Sequence, residues 1–165
     1  MGLKKQLRSP AEGEFLFEID ETPLEETLTC YGGLPLFVRA ARSLGLAASV
    51  KRNLCLKQRR RGLDEACFVE SFLALNALGG ECLDDFEVLR ADPGLPAMLG
   101  YEPPSPEAAR KFLYQFHDEQ KIAAAQQQQL ELGRASIIPG ESEALAALAA
   151  VNRDIVGELG RRCAD

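Results

Sequence analysis

The apolar positions of this chain recur at three- and four-residue spacing over most of its length, the period of helices rather than strands. In PPSPEAARKFLYQFHDE, Ala108, Ala109, Phe112, Leu113 and Phe116 share one face, and Arg110, Lys111, Tyr114 and Gln115 share the other. Ser105 can cap this helix, Pro106 suits its first position, and Glu107 favours the positive end of its dipole. The pattern predicts further helices over Leu34–Leu44, after Gly32-Gly33, and over Leu46–Leu56. Asp64–Leu78 is apolar nearly all round, with Asp64 as cap and Gly79-Gly80 as stop. Its Phe68, Phe72 and Leu75 are expected in the core. Asp84 or Asp85 should cap a helix through Arg90, and DPGLPAMLG should form a turn with a short helical piece. Glu141–Arg162 reads as a last long helix whose stripe of Leu145, Leu148, Ile155 and Leu159 is interrupted by Asn152 and two glycines. Only EFLFEI, residues 14–19, alternates as a strand would. The expected fold is mainly α, a multi-helix bundle with a helix-turn-helix-like element and a short N-terminal β-strand.

Composition leaves this picture intact. Hydrophobic residues make up 46% and charged residues 27%, ordinary for a globular chain. No apolar run approaches the roughly 18 residues of a membrane span. The five cysteines, Cys30, Cys55, Cys67, Cys82 and Cys163, include no C-x-x-C pair and read as reduced thiols in a cytoplasmic protein.

Charge changes the picture more. The net charge of −6 argues against a nucleic-acid partner, but its distribution is uneven. From Cys30 to Gly62 stand Arg39, Arg42, Lys51, Arg52, Lys57, Arg59, Arg60 and Arg61, with no Asp or Glu. Lys57, Arg59, Arg60 and Arg61 crowd into one turn, where they could neutralise phosphates of DNA. A solvated loop balanced by acids nearby in space is the plainer alternative. On the capped helix, Arg110 and Gln115 have the donor geometry for base edges, and Lys111 and Tyr114 can hold phosphate. An ordinary amphipathic helix also explains that face, because the connection from the preceding helix is too long for a standard helix-turn-helix.

Nothing in the sequence assembles an active site. His117 stands at a helix end without metal-ligand spacing around it, Asp84-Asp85 fits capping, and Cys67 lies in an apolar run. Gly32-Gly33 and Gly79-Gly80 match neither dinucleotide nor phosphate-loop patterns. No catalytic residue, metal ligand or cofactor is expected.

LTCYGGLPLFVRAARSLGL, RRRG, LGGECLDDFEVLRADPGLPAMLG, PSPEAARKFLYQFHDE and IIPGESEALAALAAVNRDIVGEL occur in that order. This series resembles the N-terminal region of bacterial insertion-sequence transposases of the group 1 DDE type, over about residues 14–162. The resemblance implies a basic arm (1–13), a helical DNA-binding domain (14–125), a looser connection (126–140) that includes the glutamine run, and a C-terminal helix (141–165) leading toward a ribonuclease-H-like core. The three carboxylates of that core, and the Mg²⁺ they hold, would lie beyond this chain, so the expectation is a truncated or remnant transposase region without activity of its own. Its implied partner is the double-stranded DNA of terminal inverted repeats, in the bacterial nucleoid, with Lys57, Arg59, Arg60, Arg61, Arg110, Lys111, Tyr114 and Gln115 as contacts. A homodimer or a pair with full-length transposase is the implied protein partner. The alternative is a protein-interaction module that pairs with full-length transposase and inhibits it.

Overall fold

The computed structural model describes residues 28–56, 62–133 and 137–164. The arm, the strand expected at 14–19 and the basic turn at 57–61 lie outside the described residues. Among the described residues the fold is mainly helical: α1 (Leu34–Ser43), α2 (Leu46–Asn53), α3 (Glu65–Ala77), α4 (Phe86–Ala91), α5 (Leu95–Leu99), α6 (Pro106–Tyr114), α7 (Glu119–Leu132) and α8 (Glu143–Cys163). None of them is long and apolar enough to cross a membrane.

Local signals set most boundaries. The side chains of Asp64, Ser105, Asp118 and Ser142 each accept a backbone N–H in the first turn of the helix they precede. Gly45 joins α1 to α2 with φ +81°, a conformation a side chain would strain. Three boundaries differ from expectation. α2 stops at Asn53, where Leu54 turns extended. Asp85 does not cap α4 with its side chain; its carboxylate accepts the amides of Glu81 and Cys82 and fixes a 3-10 turn, Leu83–Asp85, before the helix. Gln126–Gln129, expected in a looser connection, lies within α7, which Asp118 starts afresh after α6.

α1, α2 and α3 pack on one another, and α8 lies along α2. Leu34, Val38, Leu75, Phe86 and Leu95 form one apolar centre, and Leu46, Val50, Phe68, Phe112 and Val151 form a second. Phe72, half-buried, touches both and joins them. Phe68 and Leu75 are buried, as the apolar reading of α3 expects. The turn after α4 is held by Asp92, whose carboxylate accepts from the Thr29 hydroxyl and from the amides of Cys30, Gly94 and Leu95. Gly94 is required there, because a Cβ would come within 2.9 Å of the Leu28 carbonyl.

The α2–α8 contact carries a polar clamp. Asp154 accepts from Ser49 Oγ at 2.6 Å, Arg52 Nη2 at 2.5 Å and Asn53 Nδ2 at 2.8 Å. The Ser49 hydroxyl, then Arg52 and Asn53, hold the Asp154 carboxyl down to about 2, from an ordinary 3.8. A carboxylate depressed on folding stabilises above its unfolded value and loses that contribution as pH falls through the folded one. We therefore expect the stability difference between wild type and Asp154→Asn, read from urea midpoints, to be full above pH 5 and to shrink between about pH 4 and pH 2. A difference constant over that range would show that the clamp does not couple folding to this proton.

Candidate nucleic-acid interface

α6 presents the polar face predicted for it because its other face is fixed. Ser105 Oγ accepts the Ala108 amide at 3.2 Å, and Pro106 begins the helix. Ala109 and Phe112 are buried, and the Phe112 ring stacks on Phe68 with centroids 4.7 Å apart and planes at 3°. That stack locks the rotation of the helix about its axis. Arg110, Lys111, Tyr114 and Gln115 are consequently exposed together. Tyr114, at 67% exposure, makes an edge-type ring contact with His117, at 6.5 Å between centroids. Glu107 pairs with Arg110 at 3.2 Å and with Lys111 at 3.3 Å. Such exposed i,i+3 and i,i+4 pairs contribute only about 0.3–0.5 kcal/mol, so a phosphate could take either cation from Glu107.

Gln115 also stands on the rim of an open groove of about 720 Å³. Asn53–Leu56, the stretch that precedes Lys57 in the sequence, also line it. So do His117, Lys121, Ser142 and Ala147. The Lys121 ammonium donates to the Glu141 carbonyl and so ties α7 to the start of α8. Asp118, Glu119 and Glu143 also line the groove, so its charge is mixed. Ser142 is no free hydroxyl: its Oγ donates to the Phe116 carbonyl and accepts the Leu145 amide.

Lys57, Arg59, Arg60 and Arg61 fall outside the described residues, so the structure neither joins them to α6 nor separates them from it. The rest of the acid-free span is less free in space than in sequence. Arg42 pairs with Glu70, Lys51 with Asp64 at 3.8 Å, and Arg52 with Asp154. Arg39 is exposed, with no carboxylate within 4.0 Å among the described residues. α2 lies between α3 and α8, which leaves Ala47, Ala48 and Lys51 facing outward.

The comparisons with known proteins are silent. No family model, no curated protein and no solved structure matches this chain.

Sequence reasoning passed over the buried network around Glu70. Arg42 grips this carboxylate with Nε and Nη2, each at 2.7 Å, and Nη2 reaches the Leu99 carbonyl at 2.6 Å. The Tyr101 hydroxyl lies 3.0 Å from Glu70 Oε1 and 3.2 Å from the Cys67 carbonyl. Burial, with Glu70 alongside, pushes the Tyr101 phenol well above its usual range, so it stays a donor. A carboxylate in the middle of a mostly apolar helix was the available signal. The network is structural: among the described residues every buried side-chain polar atom has a partner, and no group of metal-ligating side chains occurs.

Proposed function

We propose that this chain is a DNA-binding helical region of the kind found in DDE-type insertion-sequence transposases, and that it holds double-stranded DNA at transposon ends. One observation carries the reading: α6 is locked by its Phe112 stack so that Arg110, Lys111, Tyr114 and Gln115 form one exposed row. Arg and Gln supply paired donors suited to base edges, and Lys and Tyr supply phosphate contacts. The groove beside Gln115 adds support, because Asn53–Leu56 in its lining immediately precede the basic run Lys57–Arg61 in the sequence. No catalytic role is assigned to any residue. The exposed half of α8 favours a second reading, a module that pairs with another protein chain.

The two sets of cations should act differently. Neutralising Lys57, Arg59, Arg60 and Arg61 to Gln should weaken binding to every duplex alike. It should also flatten the salt slope by about one unit for each phosphate that is no longer neutralised. Arg110→Ala should cost about 1–3 kcal/mol on the cognate end and much less on scrambled DNA. Fluorescence anisotropy with end-sequence and scrambled duplexes, at several salt concentrations, measures both. Absence of affinity for either duplex at low salt would overturn the DNA-binding reading.

A further inference from the structure

Glu107 stands at the centre of the outward face of α6. At about 100° per residue it lies between Arg110 and Lys111, opposite the buried Ala109 and Phe112. Its side chain is 60% exposed, and those of the two cations are 48% and 72% exposed. Glu107 Oε2 accepts from Arg110 Nη1 at 3.2 Å, and Oε1 lies 3.3 Å from Lys111 Nζ. Neither partner of the Arg110 bond is saturated. A carboxylate has about four acceptor sites, and these pairs take two of them. The Nε and Nη2 of Arg110 donate to nothing among the described residues.

The result is a free guanidinium edge in direct contact with a carboxylate, in the first turns of a helix. Those turns meet base edges when a helix lies in a major groove. In that groove guanine shows two acceptors, N7 and O6, and cytosine shows a donor, the N4 amine. Within one G·C pair, O6 and N4 are themselves hydrogen-bond partners, so a donor and an acceptor that read them together must also touch. Arg110 and Glu107 do touch. An A·T pair would set Arg110 against the adenine N6 donor and Glu107 against the thymine O4 acceptor. Both contacts would then be repulsive, which adds rejection of the wrong pair to attraction for the right one.

We propose that Arg110 and Glu107 read one G·C pair as a unit, with Arg110 on guanine N7 and O6 and Glu107 on the cytosine N4 amine. The inference rests on the DNA-binding reading and goes beyond it, because it gives the acid of α6 a part in recognition. Duplexes that the chain selects from a randomised pool should share a fixed G·C pair. Two modified duplexes then address the two side chains. At the guanine, 7-deazaguanine removes the N7 acceptor; at the cytosine, N4-methylcytosine puts a methyl group where the exposed N–H stood. Each should weaken wild-type binding about tenfold in anisotropy titrations. Glu107→Ala should be indifferent to the cytosine methyl group. It should also bind scrambled duplex more tightly than wild type, because a negative charge has left the face nearest the phosphates. An acid that served the helix dipole alone would leave the response to the methyl group as it is in wild type. Arg110→Ala should be indifferent to 7-deazaguanine. Both positions are exposed, and circular dichroism checks that each variant keeps its helices. A selected set without a fixed G·C pair overturns the inference while DNA binding stands. So does equal sensitivity of wild type and Glu107→Ala to the methyl group. Failure to bind any duplex at low salt removes the DNA-binding reading, and the inference with it.

Discussion

Phe112→Ala should destabilise the domain by about 3–5 kcal/mol. Phe112 is 3% exposed and sits where three aromatic contacts meet. It stacks on Phe68, lies 6.1 Å from the Phe72 centroid, and takes the edge of Phe116 at 5.4 Å. Truncation removes the buried ring, leaves a cavity between α3 and α6, and forfeits pair terms of about 0.5–1.5 kcal/mol each. A domain of this size has only about 5–15 kcal/mol in total. The loss should appear as a lower urea midpoint with an unchanged slope. Leu113→Ala, one residue on and 44% exposed, is the control and should cost less than about 1 kcal/mol. Equal losses at the two positions would mean that α6 is not held through Phe112. If the proposed function holds, the same stack orients Arg110 and Lys111 for DNA, and the Phe112 variant should also lose discrimination between end-sequence and scrambled duplexes at temperatures where the rest of the chain is still folded.

The signals that were legible in the sequence are short in range. Asp64, Ser105 and the glycines after α3 act within one turn, so reading neighbours sufficed to bound α3 and α6. The outward row on α6 was legible for the same reason: the periodicity of Ala109 and Phe112 fixes which residues are left outside. The glutamine run misled because repetition was read as looseness. Gln is a good helix former, and Asp118 supplies a start signal eight residues upstream of Gln126. Three cations of the Cys30–Gly62 span, Arg42, Lys51 and Arg52, have carboxylate partners that the sequence did not show, for the opposite reason. These partners lie far along the chain: Glu70 is 28 positions from Arg42, and Asp154 is 102 positions from Arg52. A tally along the sequence cannot see carboxylates that folding delivers.

Arg42→Ala should cost about 3 kcal/mol, the low end of the range for breaking a buried ion pair. The Glu70 side chain is 9% exposed and that of Arg42 is 44% exposed. Removing Arg42 therefore strands a buried carboxylate, whereas removing Glu70 leaves a guanidinium that water can reach. The two single variants should differ, with Arg42→Ala the worse. The Leu99 carbonyl also loses its donor, which loosens the end of α5 from α1. Arg42→Lys should restore little, because an ammonium cannot reproduce two parallel bonds of 2.7 Å to one carboxylate and a third to a carbonyl. Arg42→Met combined with Glu70→Leu removes both charges and keeps the volume. It should recover most of the loss, since buried pairs replaced by apolar groups of similar size are often neutral or stabilising. Urea denaturation of the wild type, both single variants and the double variant closes the cycle. A double variant as unstable as the sum of the singles would mean that Arg42 and Glu70 act separately.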